Sequence, residues 1–183
     1  MSDKGGKILC QGKHLRLVER DGWEIAERVA ARDVVAILVI TRAGEIVLVE
    51  QYRVPVRRRV VELPAGLVGD EKEGRESIDE AARRELEEEA GYVAKRFEWL
   101  TEGPPSAGLT SELITFLRAV DPRRVGEGGG VEGEAIRVHH VALSNVVDWL
   151  RRKEREGLLV DPKVWLALWF ALSEPRHHAT RNT

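Results

Sequence analysis

The N-terminal part of the chain alternates between apolar and polar residues with the period of β-strands. Residues 14–20 and 23–31 alternate on either side of Asp21-Gly22, a dipeptide that favours a tight hairpin turn. Residues 34–42 open with an unbroken apolar run, which is typical of a strand buried on both faces. Similar patterns predict further strands at 46–52, 59–63, 95–101, 112–120 and 134–142.

The clearest helix signal follows a loop at 66–76 that is rich in glycine and charge. Ser77-Ile78-Asp79-Glu80 is a capping box, so a helix should begin at Ser77 and run to about Ala90. Gly91 is the natural stop, because glycine readily adopts the left-handed conformation that ends helices. The apolar side of this helix is predicted to consist of Ile78, Ala81, Ala82 and Leu86.

Two more helices are predicted near the C-terminus. One should span 144–157, and Asp161-Pro162 should open the other, which reaches about Ser173. Within the last helix, core packing is predicted for Val164, Trp165, Leu168, Trp169 and Leu172. Strands, a helix, strands and then helices predict an α/β (α+β) fold with a mixed sheet flanked by helices.

Length and composition restrict the number of domains, the kinds of partner and the cellular compartment. The 183 residues predict one domain (1–183), with an N-terminal strand segment at about 1–33, a core at 34–173 and a polar tail at 174–183. A net charge of −2 gives no reason to expect a nucleic-acid partner. The single cysteine, Cys10, excludes an intrachain disulfide and suits a reducing compartment. Without a signal-peptide pattern at 1–7 or an apolar run near ~20 residues, the prediction is a cytoplasmic protein with no membrane span.

The most informative chemistry is an acidic face at the end of the first predicted helix. Glu85, Glu88 and Glu89 stand at i, i+3 and i+4, so their carboxylates share one face. They repel one another, and they lie near the helix C-terminus, where the helix dipole disfavours anions. A divalent cation would relieve both effects, and oxygen ligands favour Mg²⁺ or Mn²⁺.

These residues belong to a longer run that resembles a known family. Glu76-x7-Arg84-Glu85-Leu86-x-Glu88-Glu89-x-Gly91-Tyr92 is similar to the Nudix box, G-x5-E-x7-R-E-U-x-E-E-x-G-U, in which U is apolar. The flanking segments 50–53, 62–66 and 110–112 resemble the ADP-ribose pyrophosphatase branch of that family. The resemblance implies an α/β/α sandwich and a metal-dependent hydrolase of nucleoside diphosphate derivatives. It covers roughly residues 23–173.

The chain departs from the family pattern at two places. Asp70 stands where the opening glycine is expected, so Gly66 is the better equivalent and a four-residue insertion follows it. Ala107 stands where ADP-ribose enzymes usually have proline, while Pro104 and Pro105 are close but out of register. The substrate therefore stays open: ADP-ribose comes first, with GDP-mannose or another sugar nucleotide, NADH or another dinucleotide, and a damaged nucleoside triphosphate as alternatives.

The resemblance also implies roles for individual residues. Glu85 and Glu89 would be the main metal ligands, with Glu88 third and the carbonyl of Ala65 as an additional ligand. Arg84 is expected to hold Glu85 and the loop in place, because a guanidinium suits carboxylates on neighbouring turns. Glu76 is expected to anchor the loop to the helix, with Arg84 as its candidate partner. Glu87 points to the opposite side of the helix and should be exposed.

The general base is expected at the end of the glycine-rich loop 126–133, which should be flexible. Glu134 fits the family register best and Glu132 is second. Glu112 is a candidate for assisting the metal, the water or the substrate, or else is a simple strand charge. Arg53 is a candidate phosphate ligand, with a surface ion pair as the alternative.

Several other residues receive less functional expectations. Trp23 and Trp99 are candidates for base stacking, although buried packing is favoured for both. His139 and His140 should be ordinary strand residues, since this chemistry requires oxygen donors. The run at 57–59 consists of three arginines and is interpreted as a solvated turn. By resemblance, the N-terminal hairpin would help form a homodimer; a catalytically inactive ligand sensor with the same fold is the non-enzymatic alternative.

Overall fold

The computed structural model describes residues 6–30, 33–69, 76–131 and 134–173. Its α-helices are α1 (Ile78–Ala90), α2 (Val146–Arg155) and α3 (Pro162–Ser173), and a short 3-10 turn spans Val54–Val56. The strands are β1 (Lys7–Gln11), β2 (Leu15–Arg20), β3 (Trp23–Arg28), β4 (Asp33–Leu38), β5 (Glu45–Arg53), β6 (Arg58–Glu62), β7 (Ala65–Val68), β8 (Tyr92–Val93), β9 (Arg96–Gly103), β10 (Leu113–Val120), β11 (Arg123–Arg124), β12 (Arg137–Ala142) and β13 (Leu159–Val160).

The strands form an N-terminal sheet and two larger mixed sheets. The N-terminal sheet has the order β1-β2-β3 and is antiparallel. The larger sheets have the orders β7-β4-β10-β9 and β12-β5-β6-β13, and each combines antiparallel pairs with one parallel pair, β4 with β10 and β6 with β13. A two-stranded ladder joins β11 to β8. The predicted α/β class with mixed sheets and three helices is confirmed.

Strand β4 divides the core because both of its faces are buried. Ala36 and Leu38 pack in a cluster with residues of α2 and α3. Val35 and Ile37 point the other way, into a cluster with α1. Alternation along one strand thus places α1 on one side of the sheet and the two C-terminal helices on the other. Full burial explains why this segment reads as continuously apolar rather than alternating.

Helix α1 has the ends that its sequence predicts. The Ser77 hydroxyl accepts a hydrogen bond from the Glu80 amide (3.3 Å), and the Glu80 carboxylate accepts one from the Ser77 amide (2.9 Å). Gly91 ends the helix with φ +72°, and its N–H donates to the Glu87 carbonyl oxygen at 2.9 Å. Glu87 is exposed, as predicted. Local signals sufficed here because each cap is made by residues within four positions.

Other boundaries differ from the predictions. Strand β1 was not expected, the segment after Gly66 was expected to be a loop but contributes to β7, and the strand expected at 134–142 begins only at Arg137. The second helix begins at Val146 and ends at Arg155, inside its expected limits of 144–157. The strand predicted at 34–42 ends at Leu38, and residues 31–32, 70–75, 132–133 and 174–183 lie outside the described part. Edge strands such as β1 and β7 carry weak patterns because they depend on pairing with distant segments.

Four large side chains were expected to be buried and are not. Trp23 is 60% exposed and Trp99 is 65% exposed. On α3, Trp169 and Leu172 are also exposed, whereas Val164 and Leu168 are buried as predicted. The hydrophobic pattern of α3 covers most of its circumference, so the sequence could not say which side faces the core.

The N-terminal sheet is tied to the core at its third strand. The Ala26 amide donates to the Leu109 carbonyl oxygen (2.9 Å), and Arg28 forms an ion pair with Glu112. Arg28 and Glu112 thereby connect β3 to the start of β10. In the described ranges, the helices are too short or too polar to cross a bilayer.

Candidate active site

Arg84 organises the N-terminal side of the acidic helix face. Its Nε and Nη2 donate to the two Glu76 carboxylate oxygens at 3.0 and 3.1 Å, its Nη1 donates to Glu85 Oε1 at 2.7 Å, and Nη2 also reaches the Leu67 carbonyl oxygen at 3.1 Å. The Glu76 carboxylate also accepts the Gly69 N–H at 3.0 Å. Hydrogen bonding to Glu76 is the largest cause that raises the pKa of Arg84. The contacts expected of Arg84 and Glu76 between helix and loop are therefore present.

Gly66 is the position at which strand β7 passes beneath Glu85. A Cβ atom on residue 66 would lie 1.7 Å from Glu85 Oε1 and 1.9 Å from its Cδ. No other amino acid would leave the Glu85 carboxylate where it is. This close approach is the physical reason for a glycine here and supports Gly66 as the counterpart of the opening glycine. The six residues 70–75, where the extra loop residues fall, lie outside the described part.

Glu89 is a buried carboxylate on the same helix face. It is 6% exposed, and its Oε2 accepts a hydrogen bond from the Ala65 N–H at 2.9 Å. Burial raises the pKa of Glu89 to about 8; the Ala65 amide and the Arg53 charge oppose this rise, while the charges of Glu85 and Glu134 add to it. Burial likewise raises the pKa of Glu85, despite its contact with Arg84. Strongly raised carboxyl pKa values are typical of functional sites.

The glycine-rich segment 125–130 caps the C-terminal end of α1. The N–H groups of Val125 and Gly126 donate to the Gly91 carbonyl oxygen (2.8 and 3.1 Å). Those of Gly129 and Gly130 donate to the carbonyl oxygens of Glu89 and Glu88, both at 2.9 Å. The segment thus satisfies carbonyls that a helix end leaves unpaired. It was expected only to be flexible, and its docking on the helix was not foreseen.

Glu134 follows this segment and lies beside the acidic face. Its backbone N–H donates to the Val131 carbonyl oxygen (3.0 Å), and its Oε2 accepts the Val131 N–H (3.1 Å). Its charge contributes to the raised pKa of both Glu85 and Glu89. The structure therefore brings Glu134 to the carboxylates that the sequence places on α1. Glu132, the second candidate for the base, lies outside the described residues.

The carboxylates of Glu85, Glu88 and Glu89 are chemically suited to a hard divalent cation, but they are not positioned around a common point. Across residues 6–30, 33–69, 76–131 and 134–173, no three Asp, Glu, His or Cys side chains are arranged to hold a metal ion. Glu85 instead contacts Arg84, Glu89 contacts the Ala65 amide, and Glu88 lies 3.5 Å from Arg84 Nη1. For Ala65 the observed contact is through its N–H, whereas its carbonyl was the expected ligand. The chemistry fits a hard cation because the donors are all oxygen atoms, and because Glu85 and Glu89 repel each other and resist ionisation without one.

A cavity of about 730 Å³ has Ala65 and Gly66 among its lining residues. Its charged lining residues include Arg28, Arg53, Glu112 and Lys163. Arg53 forms an ion pair with Glu62, with Nε–Oε2 and Nη2–Oε1 distances of 2.8 and 3.1 Å. Arg53 therefore makes an ion pair and also lines this cavity, and its role as a phosphate ligand stays a prediction. Glu112, paired with Arg28, lines the same wall.

A second cavity of about 610 Å³ adjoins the first and shares Pro105, Ile114 and Lys163 with it. Pro104, Phe116 and Phe170 give this cavity its apolar character. The two prolines that are out of register with the family pattern therefore lie at its wall. The sequence offered no signal for this cavity, because its lining comes from β9, β10 and α3.

Trp23 lies apart from the larger cavities within this chain. It stands five residues from Arg28 on the regularly paired strand β3, so the two side chains point to opposite faces of the N-terminal sheet. Trp23 instead borders a small cavity of about 180 Å³ together with residues 107–111. Its predicted role in base stacking has no support from contacts inside one chain.

The structure also adds residues that the sequence analysis missed or misread. Arg28 and Lys163 line the larger cavity, and neither stood out from the many charged residues of the chain. Arg59 was interpreted as part of a solvated turn. It is instead a partly buried residue of β6 that contacts Glu50 and the Ala135 carbonyl oxygen. His139 contacts Glu50 (2.9 Å) and His140 contacts Tyr92 (2.9 Å), which agrees with the expectation that both are strand residues rather than ligands.

Comparisons with known proteins agree with this geometry. The sequence model of the NUDIX domain matches residues 30–158. The methanol dehydrogenase activator of Bacillus methanolicus is 32% identical over 79% of this chain and 75% of that protein. The ADP-ribose pyrophosphatase of Bacillus subtilis is 34% identical over 66% of this chain and 63% of that protein, and the GDP-mannose pyrophosphatase of Cronobacter sakazakii is 32% identical over 73% and 70%. A crystal structure of an ADP compounds hydrolase has a TM-score of 0.61 and 21% identity over 82% of this chain and 85% of that chain, a likeness of fold.

Proposed function

From the finding that this chain belongs to the Nudix family, we propose that it is a pyrophosphohydrolase acting on ADP-ribose or a related nucleoside diphosphate sugar. One observation carries the proposal. The buried carboxylates of Glu85 and Glu89 meet β7 at Ala65 and Gly66, directly beside a cavity with cationic side chains. An arrangement that places carboxylates suited to a metal ion next to a cavity lined by arginine and lysine suits a reaction on a diphosphate.

ADP-ribose is the first substrate of this proposal. The flanking segments resemble the ADP-ribose branch, and a relative named ADP-ribose pyrophosphatase supports it. Water would add to one phosphorus while the bridging P–O bond breaks, giving AMP and ribose 5-phosphate. GDP-mannose is the second candidate, since another relative of similar identity is named a GDP-mannose pyrophosphatase.

Nudix hydrolases generally use divalent metal ions. In this chain Mg²⁺ or Mn²⁺ would be held by Glu85, Glu89 and Glu88, with the Ala65 carbonyl as a further ligand. When bound, such an ion neutralises diphosphate charge and lowers the pKa of a water molecule. The fit rests on the oxygen donors and on the raised pKa of the buried carboxyls.

The remaining roles belong to the chain itself. Glu134 would accept the proton of the attacking water, since it lies beside Glu85 and Glu89. Arg53 and Arg28 would bind phosphate oxygens from the cavity wall, after exchanging part of their contact with Glu62 and Glu112. Glu112 would hold Arg28 in place or contact the substrate.

Hydrolysis of a substrate panel tests the proposal. The purified protein is incubated with ADP-ribose, GDP-mannose, NADH and a nucleoside triphosphate, each with Mg²⁺, with Mn²⁺ and with EDTA. We expect the highest kcat/KM on ADP-ribose, and loss of turnover in EDTA. Binding of a nucleotide without hydrolysis under all conditions would contradict the proposal and favour a ligand sensor.

The assignment of the base is tested by a matched pair of variants. Glu134→Gln should lower kcat by about 10²- to 10⁴-fold, as expected for loss of a general base, with metal affinity less affected. Glu132→Gln, two residues away, is the control and should stay near the parent rate. If Glu132→Gln is the slower variant, the base assignment shifts by two residues while the hydrolase proposal stands.

The homodimer is also part of the proposal. Ile8, Leu15 and Trp23 are exposed apolar residues on the N-terminal sheet, and a second copy would cover them. Light scattering at micromolar concentration should give the mass of a dimer, and a monomer would contradict this part alone.

A further inference from the structure

Arg59 is the residue through which β6 reaches the segment that carries Glu134. Its Nη2 donates to the Ala135 carbonyl oxygen at 3.3 Å and to the Glu50 carbonyl oxygen at 3.1 Å. Its Nε forms a hydrogen bond with the Glu50 carboxylate. A single guanidinium therefore joins strand β5 to Ala135, the residue that follows Glu134. Arg59 and Ala135 are 76 positions apart in the sequence.

Glu50 gives Arg59 a rigid foundation. Its side chain is only 3% exposed, and it also contacts His139 Nε2 at 2.9 Å and lies 3.7 Å from Arg137 Nη1. Burial would raise the pKa of Glu50, but hydrogen bonds from Arg59 and His139 outweigh burial and lower it, so the carboxylate is charged. Charge-assisted hydrogen bonds of this kind hold side chains more firmly than neutral ones.

The Glu134 segment is therefore held on both sides. On its N-terminal side, Gly129 and Gly130 donate to carbonyls of α1, and Val131 and Glu134 hydrogen-bond to each other. On its C-terminal side, the Arg59 guanidinium binds the Ala135 carbonyl. Without the second attachment, Glu134 would be held only by the glycine-rich segment before it and by strand β12, which begins three residues later at Arg137.

We propose that Arg59, supported by Glu50, is a positioning residue that fixes the Ala135 carbonyl and thereby the carboxylate of Glu134 for proton transfer. The inference rests on the proposed role of Glu134 as the base. Arg59 itself does not touch the reacting atoms. Small displacements of a base reduce the rate of proton transfer strongly, because the base must stay within hydrogen-bonding reach.

A double-mutant cycle in the full-length protein tests this inference. Arg59→Gln should lower kcat about 10- to 100-fold, as is typical when a supporting partner is removed, with KM changed less than threefold. In a Glu134→Gln background, Arg59→Gln should add less than a twofold further decrease, because there is no longer a base to position. Arg58→Gln, at an exposed neighbouring position, is the control and should leave kcat unchanged.

The outcomes separate this inference from the proposed function. If both single variants are slow but their effects multiply, Arg59 acts independently of Glu134 and the inference is wrong. If Glu134→Gln is nearly as fast as the parent protein, the base assignment fails first. If the parent protein hydrolyses nothing, the proposed function fails.

A readout without catalysis completes the test. Hydrogen–deuterium exchange should become faster at amides 134–136 in Arg59→Gln and stay unchanged in Arg58→Gln. Arg59→Lys retains the charge but not the fork, so it should show an intermediate kcat and serves if Arg59→Gln unfolds. Unchanged exchange at 134–136 in both Arg59 variants would overturn the inference.

Discussion

The two ends of the acidic site differ in whether a buried carboxylate has a positively charged partner. Glu76 and Glu89 are almost equally buried, at 7% and 6% exposure. Glu76 meets two nitrogens of Arg84 and the Gly69 amide. Glu89 has the Ala65 amide, and no arginine, lysine or histidine of the described segments forms an ion pair with it.

This difference separates a structural carboxylate from a functional one. A buried charge that is paired and hydrogen-bonded stabilises its surroundings once in place, whereas an unpaired one costs stability. A neutral glutamine could also accept the Ala65 N–H, so the fold has no stabilising reason to retain the negative charge of Glu89. The pKa of Glu89 is raised to about 8, mainly by burial, which shows that its environment disfavours the charged form.

The largest expected effect comes from exchanging the two carboxylates for amides. Glu89→Gln should reduce kcat on the order of 10²- to 10³-fold, as for loss of a major electrostatic contact, while the thermal midpoint without metal stays equal or rises. Glu76→Gln should instead lower the free energy of unfolding by about 2–4 kcal/mol, because Arg84 loses a buried charge partner. Steady-state kinetics and urea unfolding of both variants measure the contrast. Equal losses of stability would show that the two ends do not differ.

Arg84→Lys tests the anchored end by itself. Lysine keeps the charge but cannot bind Glu76, Glu85 and Leu67 at once, so we expect a loss of about 2–3 kcal/mol in unfolding free energy. Arg155→Lys, at an exposed position on α2, is the matched control and should change stability by less than about 0.5 kcal/mol. A loss below 1 kcal/mol for Arg84→Lys would mean that the fork contributes little.

Gly66→Ala should disturb the acidic face at Glu85, which lies between the two ends and contacts Arg84, with little loss of stability. The new Cβ would displace the Glu85 carboxylate, which is the mobile end of a flexible side chain. We therefore expect kcat to fall about tenfold or more, at a cost of about 1 kcal/mol or less in stability. Gly108→Ala is the control, since a Cβ there has no neighbour within 4 Å. Parent-like kinetics for Gly66→Ala would contradict the placement of Glu85 over residue 66.

Gly128→Ala should have the smallest effect on kcat, because its effect on structure should be confined to the glycine-rich segment 125–130. Its φ is +68°, and a Cβ would lie 2.5 Å from the Glu89 carbonyl oxygen. Gly44 has a similar φ of +77° but open space around a Cβ, so Gly44→Ala isolates the conformational cost of about 1 kcal/mol. We expect Gly128→Ala to exceed that cost and to accelerate hydrogen exchange at 125–131. Equal effects of the two substitutions would show that the segment is not docked on α1 in solution.

Much of the site followed from local sequence. The capping box, the stop at Gly91 and the shared face of Glu85, Glu88 and Glu89 all depend on residues within one or two turns of helix. The contact of Arg84 with Glu85 and Glu76 was also expected, since it joins adjacent residues and one short loop. Because helix geometry fixes these relations, the rest of the chain was not needed to predict them.

Other features were predicted poorly for an equally physical reason. Buried packing was favoured over base stacking for Trp23 and Trp99, and both are exposed. Arg59 was expected in solvent because it belongs to a run of three arginines, yet it contacts Glu50 and Ala135. Burial and pairing of such side chains depend on which distant strands adjoin them, and a charge or ring in a strand carries no local sign of its neighbour.

The sequence by itself determined the class of fold, the limits of α1 and the acidic face on which the proposed chemistry depends, because each is a relation between residues close in the chain. Only the tertiary structure decided which charges are neutralised, as in the contact of Arg28 with Glu112 across 84 positions, and which are not, as in Glu89. It also decided that Gly66 of strand β7 and the glycine-rich segment 125–130 pack against that helix. The reason is that burial and charge pairing are properties of neighbours in space, which strand pairing and packing alone bring together.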